Sequence, residues 1–339
     1  MSILISSVAH FVPPTSVANS DLAARLGITA DWIVRRTGIH ERRIAESGGV
    51  SDLIVPAAAE CLRRAGASAT DVDCVIVATI TPDHLTPATA VTVIRRLEAT
   101  NAWGFDLSAA CSGFLYGLVT AASLVESGAA RRVLVCGADR MSSVTDPGDL
   151  RTAVLLADGA GAALVERRDD PTLGLIDYLL RVNASGEQTI VVPAGGSALA
   201  TTEQTVRQRQ HFLFLDGQPV FRAAVEGMTA LTAELMARNE LKPEDVDWFI
   251  PHQANLRIIE AVADRLQMPR TRVAVNVDRY GNTSAATIPI VLSEWWRAGR
   301  LRQGQRVVMC SIGAGYTFAA LYLRWTATGP EFSPTKQAV

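Results

Sequence analysis

The sequence predicts an α/β fold built from one unit used twice, and two observations carry that expectation. Short β-branched runs alternate with longer amphipathic ones, as in mixed sheets layered between helices. Pieces of the first half also recur in the second. DVDCVIVAT begins at Asp71 and DVDWFIPHQ at Asp245, while RVLVCG begins at Arg132 and RVVMCS at Arg306, a separation of 174 residues in both pairs. SAAC at 108 and SAAT at 284 recur at a spacing of 176, and the strand-like tails GAALVE and FAALYL close both halves. Several matches in one order at nearly one spacing indicate duplication. We place the halves at 1–170 and 171–339.

Taken in order, MSILISSVAHFVPP reads as a first strand, since it lacks the basic n-region and small-residue cleavage site of a signal peptide. CVIVATI (74–80) and RRVLVCGAD (131–139) are continuous apolar runs that suit strands covered on both faces. Residues 52–65, 88–98 and 112–127 carry helical spacing, the last apolar nearly all round and therefore buried. Residues 183–216 contain Gly186, Pro193, Gly195, Gly196 and a polar run through Arg209, the composition of a long excursion acting as a lid or interface loop. In the second half, helices are expected at 219–238, 255–267 and 285–298 and strands at 247–250, 272–277, 306–311 and 317–325. The tail after Gly329 is expected to fray.

Composition narrows the function. A chain of 339 residues, 48% hydrophobic and 19% charged, can bury a large core. Its net charge of -2 argues against a general nucleic-acid binder, and no unbroken apolar run is long enough to span a membrane. Cys61, Cys74, Cys111, Cys136 and Cys310 show no paired or C-x-x-C spacing, so neither a disulfide framework nor a zinc site is indicated. A reducing cytoplasm fits that usage.

Cys111 stands out chemically. In FDLSAACSGFLYGL (105–118) a strand-like run breaks at small residues and resumes at helical spacing, which puts Cys111 at a strand-to-helix junction. Unpaired backbone N–H groups and the positive end of a helix dipole favour a thiolate there. A cysteine filling a tight strand–helix contact is the alternative. Two further clusters bear on the choice. In PHQANLRII, His252 follows a strand and Asn255 is placed to cap the next helix; in YGNTSAATIPI, Gly281 permits an unusual backbone angle and presents Asn282. The repeat spacing puts both at strand ends equivalent to loops around Cys111, where α/β folds build sites.

WIVRRTGIHERRIA (32–45), DLSAACSGF, DGAGAALV (158–165), PHQANLRII and YGNTSAATIPI together resemble β-ketoacyl-acyl carrier protein synthase III and its relatives in the thiolase superfamily. The similarity runs from the first strand to about residue 326. It implies duplicated βαβαβαββ halves in a five-layered αβαβα arrangement, a homodimer, and a Cys111–His252–Asn282 site. It further implies that Cys111 takes an acyl group from a thioester, and that His252 and Asn282 stabilise the enolate left by decarboxylation of a malonyl unit. Backbone N–H groups of Cys111 and Ala314 would form the oxyanion hole. Trp32 and Arg36 would meet coenzyme A, Asn255 the pantetheine arm, and Arg222 and Arg257 an acidic acyl carrier protein. No metal or redox cofactor is implied; the thioesters are substrates.

Departures from the family pattern are informative. DLRT places Leu150 where an arginine commonly stacks on adenine, with Arg151 one residue later, so that clamp is expected to be weakened or rebuilt. Leu156 and Ile312 stand where phenylalanines are common, and Thr86 where several relatives carry a bulky residue at the acyl pocket. Lost rings suggest room for an acyl chain longer than acetyl. These swaps tilt the reading toward a ketosynthase III-like enzyme of polyketide or other secondary metabolism, including one that joins two carrier-bound chains into an α-pyrone. The alternatives are the housekeeping synthase that starts fatty-acid synthesis, an acyltransferase or thioester hydrolase using the same acyl-cysteine, and a non-enzymatic chain-binding subunit.

Overall fold

The structure is a computed structural model that describes residues 2–168, 170 and 172–327. The tail after Gly329 lies outside the described residues. In the first half, β1 (Ser2–Phe11) is followed by a small ribbon of β2 (Ser16–Ala18) and β3 (Glu41–Arg43), which encloses α1 (Asn19–Leu26) and α2 (Ala30–Thr37). Then come α3 (Val50–Ala65), β4 (Cys74–Ala78), α4 (Thr89–Leu97), β5 (Trp103–Leu107), α5 (Gly113–Glu126), β6 (Arg132–Arg140), the one-turn α6 (Leu150–Ala153) and β7 (Asp158–Arg168). These strands form a sheet in the order β1-β7-β6-β4-β5, with β4 parallel to both neighbours and the remaining pairs antiparallel.

The second half repeats this plan. After β8 (Gly174–Val182), the excursion carries β9 (Ile190–Val191), α7 (Glu203–Arg207) and β10 (Phe214–Leu215), with β9 and β10 paired. Next are α8 (Gly217–Arg238), β11 (Trp248–Pro251), α9 (Leu256–Arg265), α10 (Val277–Tyr280), α11 (Thr287–Arg297), β12 (Arg306–Gly313) and β13 (Thr317–Arg324). The second sheet runs β11-β12-β13-β8 with the same senses as β4-β6-β7-β1. Register repeats as well: Val77 faces Cys136, and Pro251 faces Cys310, 174 residues on in both strands.

Three apolar cores stack these elements into five layers. Residues of α5 and α11, including Phe114, Leu115, Ile288 and Val291, are sandwiched between the two sheets. The outer face of the first sheet is covered by α3 and α4, and that of the second by α8 and α9. Carboxylates help to place these helices. Asp106 of β5 accepts the free N–H groups of Thr89 and Ala90 at the start of α4 (2.7 and 2.8 Å), where the helix dipole favours an anion.

Two sequence expectations are corrected here. The strand expected at 272–277 is a single parallel bridge from Phe249 to Val273, because the hydrogen bonds that would extend it go to a side chain, that of Gln253. The SAAC/SAAT match is two residues out of structural register. The short 3₁₀ turns before α5 and α11 are Ala110–Ser112 and Ser284–Ala286, and each starts in the left-handed region, at Ala110 (φ 48°) and Ser284 (φ 52°). Ala110 therefore matches Ser284 at the 174-residue spacing, and Cys111 matches Ala285.

The second of these turns and the start of α5 press against β6 at Gly137. A Cβ there would lie 2.5 Å from the Ala285 carbonyl oxygen and 2.9 Å from Phe114 Cβ, contacts that no side chain tolerates. We expect Gly137→Ala to lower the unfolding free energy by about 1–3 kcal/mol, the usual range for overpacking a filled core. Denaturant titration measures it, and an unchanged midpoint would show that the halves are not in such close contact.

Candidate active site

Cys111 lies in the 3₁₀ turn between β5 and α5. The turn is pinned from the second half: Thr317 Oγ1 donates to the Ala109 carbonyl (3.0 Å), and Ser112 Oγ donates to the Thr317 carbonyl (2.7 Å) while accepting from Ser311 Oγ (2.9 Å). Cys111 Sγ donates to Ser284 Oγ at 3.5 Å. The residue keeps some exposure by surface area, yet enough protein surrounds the sulfur for desolvation to dominate. Burial pushes the thiol up to about 12; the Ser284 hydroxyl opposes this, the Asp139 charge adds to it, and the residue's own N–H opposes it. The expected resting thiolate is thus corrected. Cys111 precedes α5 rather than sitting within its first turn, and lost hydration outweighs the helix end.

Asp139, at the end of β6, is the buried group behind this contact. Its Oδ1 accepts from the Thr79 hydroxyl (2.9 Å), the Ile80 N–H (2.8 Å), and the Thr81 N–H and hydroxyl (3.2 and 3.0 Å). Its Oδ2 accepts the Ala285 N–H (3.2 Å), and the Ser284 hydroxyl also bonds to the carboxylate. Burial raises its pKa, and these donors work against the rise.

His252 follows β11 directly, and its N–H extends the ladder to the Cys310 carbonyl (2.8 Å). The ring is 2% exposed, and burial lowers its pKa to about 3, so it is neutral at physiological pH. Nδ1 lies 2.7 Å from Thr287 Oγ1, whose hydroxyl is also 3.1 Å from the Ser284 carbonyl. Thr287 has one proton for two acceptors. If it goes to His252, Nε2 carries the ring proton; if it goes to Ser284, Nδ1 carries it.

Asn282 is held by backbone on both sides. Its N–H donates to the Leu155 carbonyl (2.8 Å) and its carbonyl accepts from the Ala157 N–H (3.0 Å). Gly281 makes this approach possible, since its φ is 63° and a Cβ would lie 2.9 Å from the Leu155 oxygen. The Ser284 N–H donates to Asn282 Oδ1 (2.8 Å), which fixes the amide and leaves its NH₂ group unused by that contact.

Cys111, His252 and Asn282 all line one cavity of about 650 Å³. Trp32, Arg36, Asn255, Arg257 and Ile312 line it too, with Arg36 over the Trp32 ring at 4.8 Å and Arg257 over Phe221 at 5.6 Å. Asn255 caps α9 as expected, Oδ1 accepting the Arg257 N–H (2.9 Å), and its Nδ2 donates to the Arg36 carbonyl (3.1 Å). Ala314 follows Gly313, where a Cβ would lie 3.0 Å from the Cys111 nitrogen. Ile190 and Leu215 make the excursion at 183–216 a wall of the cavity.

Other expected residues fall elsewhere. Thr86 is exposed on the loop between β4 and α4 and is not among the cavity-lining residues. Leu156 is buried against Met141 and Leu213 outside the lining, so replacing an aromatic ring has not left it facing the cavity. Arg222 lines a neighbouring cleft with Arg181 and Glu226. Leu150 and Arg151 do line the cavity, but Arg151 sits over Phe214 (5.1 Å) and bonds to Asp149 (3.0 Å). Sequence reasoning missed Asp139, Ser284 and Thr287. Two of them lie inside the YGNTSAAT segment, and no spacing rule marks a hydroxyl that acts through another side chain.

Among the described residues no group of three or more His, Cys, Asp or Glu is arranged to hold a metal ion, and no helix is long and apolar enough to cross a membrane.

This duplicated, five-layered architecture is the thiolase fold, and the chain is an acyl-transferring condensing enzyme by its likeness to proteins of known class. The 3-oxoacyl-[acyl-carrier-protein] synthase III family matches residues 105–184, and the C-terminal region of that family matches residues 236–325. A β-ketoacyl-[acyl-carrier-protein] synthase III of Koribacter versatilis is 43% identical over 95% of this chain and 97% of its own. The crystal structure of the synthase III from Thermus thermophilus is 42% identical, with a TM-score of 0.88 over 96% of this chain and all of that one. The priming β-ketosynthase of the R1128 polyketide pathway is 34% identical, with a TM-score of 0.89 over 97% of both chains. The chain belongs to the 3-oxoacyl-[acyl-carrier-protein] synthase III family.

A neutral resting thiol has a measurable consequence. Alkylation of Cys111 by iodoacetamide should still rise about tenfold per pH unit between pH 9 and 10, where an ordinary thiol of pKa about 8.5 gains less than about a third. Peptide mass spectrometry across pH 6–10 follows it, and a plateau below pH 8 would contradict the assignment.

Proposed function

We propose that this chain catalyses the first condensation of fatty-acid synthesis, in which an acyl group from acyl-coenzyme A is joined to malonyl-acyl carrier protein. The observation that carries the reading is the convergence of Cys111, His252 and Asn282 on one cavity. Sequence alone tilted toward secondary metabolism and a longer chain. That tilt gives way because curated relatives covering nearly the whole chain carry the housekeeping name, and because Leu156 does not open into the cavity.

The chemistry proceeds in two halves. Cys111 sulfur attacks the thioester carbonyl, the C–S bond to coenzyme A breaks, and the thiol proton ends on the departing sulfur. A neutral thiol suits this exchange, since no net proton is gained or lost. Backbone N–H groups of Cys111 and Ala314 bind the oxyanion formed on attack. In the second half the malonyl thioester loses CO₂, and its carbonyl oxygen takes up charge as an enolate. The Asn282 NH₂ group and His252 Nε2–H stabilise that charge, the tautomer being the one in which Thr287 donates to Nδ1. The carbanion attacks the acyl carbon, the C–S bond to Cys111 breaks, and the departing sulfur takes up one proton to restore the neutral thiol, so each turnover consumes a proton. The acyl-cysteine intermediate requires no cofactor for these steps.

Trp32, Arg36 and Asn255 would guide coenzyme A and the pantetheine arm, and Arg222 and Arg257 would attract the acidic carrier protein. A cytoplasmic homodimer completes the proposal. Support for the dimer is β5, one of the two edge strands of the first sheet, which exposes Trp103 stacked at 6.1 Å on Phe105. A polyketide-priming role is the second reading, favoured by likeness to the R1128 priming enzyme and by Leu150 in place of an arginine.

Intact-protein mass spectrometry with acyl-coenzyme A should show an acyl adduct that Cys111→Ala abolishes; equal labelling of the mutant would remove the nucleophile. His252→Ala should still load but condense about 10²–10³-fold more slowly, the usual cost of losing a donor to a developing oxyanion. Acetyl- or short branched-chain-coenzyme A should turn over faster than long carrier-bound donors, and the reverse order would favour polyketide priming. Light scattering should give twice the chain mass, and Trp103→Arg should shift the protein toward monomer. A wild-type monomer would rule out the dimer.

A further inference from the structure

The second sheet stops one strand short, and a side chain takes over where its ladder ends. In the first half β4 pairs with β5 over five residues. In the second, β11 meets its neighbour only at Phe249–Val273, with the Ala274 N–H donating to the Phe249 carbonyl (2.9 Å). Beyond that bridge sits the carboxamide of Gln253, 1% exposed. Its Nε2 donates to the carbonyls of Pro251 (2.7 Å) and Ala274 (3.1 Å), and its Oε1 accepts the Asn276 N–H (3.0 Å). One side chain thus holds the end of β11 to the segment that leads, through α10, to Asn282.

We propose that Gln253 is a positioning residue that sets His252 against Asn282 for enolate stabilisation, an inference that rests on the condensation proposed above. The two residues reach the cavity from separate segments with little direct pairing between them. Gln253 is next to His252 in sequence, and it grips the other segment six residues before Asn282. The hydrogen bonds continue into a ring: Asn276 Nδ2 donates to Glu294 Oε2 (2.9 Å), Glu294 lies on α11, and Thr287 at the start of α11 contacts His252 Nδ1 (2.7 Å). Arg279 Nη1 and the Tyr280 hydroxyl also donate to Glu294 (2.9 and 2.8 Å), so α10 is tied into the same ring. The turn that carries Cys111 is anchored by Ser112, Ser311 and Thr317, and Ser284, which the sulfur meets at 3.5 Å, is held by Asp139 rather than by Gln253. A defect at Gln253 should therefore reach one half-reaction and spare the other.

The test compares full-length wild type, Gln253→Met, Gln253→Glu and Asn276→Ala. Cys111 acylation by acetyl-coenzyme A is timed by intact-protein mass spectrometry. Condensation of pre-acylated enzyme with malonyl-acyl carrier protein is followed by CO₂ release. Loading should stay within about threefold of wild type while condensation kcat falls at least about tenfold with KM little changed, since displacements near 1 Å cost rates of that order. Should the Gln253 variants fail to fold, Asn276→Ala breaks the same ring one link on and should show the same split. Parallel loss of both half-reactions, or wild-type rates for both in a folded variant, overturns the inference. A wild type that neither loads nor condenses overturns the condensation reading, and this inference with it.

Discussion

Asp139 joins the two halves of the molecule at the point where the cavity forms. Its carboxylate accepts hydrogen bonds from Thr79, Ile80 and Thr81 on its own side and from Ser284 and Ala285 of the other. A buried carboxylate deprived of those donors would cost several kcal/mol, so the turn at Ser284–Ala286 has little freedom relative to β6. That turn is the one whose N–H orients Asn282 and whose hydroxyl meets Cys111. The same anion adds to the rise in the thiol pKa. Geometry and nucleophilicity therefore pull in opposite directions, and geometry has been favoured.

The three candidate catalytic side chains are uncharged at rest, although Arg36, Arg151 and Arg257 line the same cavity. Burial keeps Cys111 protonated and His252 neutral, and Asn282 is an amide. On the proposed chemistry, negative charge arises only as oxyanion and enolate, in a pocket whose dipoles are already oriented. Such dipoles are worth more where water is excluded, and they need not reorganise as charge develops. A permanent thiolate would use the same donors before substrate arrived.

Much of this was legible in the sequence because it follows from apolar pattern. The 174-residue repeat gave the duplicated unit and the order of its strands and helices, while strand senses and register came with the structure. It therefore brought His252 and Asn282 to strand ends near Cys111. What failed was whatever depended on hydrogen bonds between side chain and backbone. SAAC and SAAT match in letters but sit two residues apart in structure, because the left-handed residues Ala110 and Ser284 define the turns. The segment 272–277 has the β-branched composition of a strand, yet Gln253 takes most of its pairing. Thr86 and Leu156 were placed by family position, while their surroundings are set by an exposed loop and by Met141 and Leu213.

The central claim is that three side chains from duplicated halves act on one substrate in one cavity. A crystal structure of His252→Ala soaked with acetyl-coenzyme A tests it most directly, because that variant should stall after the first half-reaction. Continuous density from Cys111 Sγ to an acetyl carbonyl, with its oxygen toward the N–H groups of Cys111 and Ala314, is the predicted result. An unmodified sulfur beside intact coenzyme A, or an acetyl group on another residue, would contradict the account.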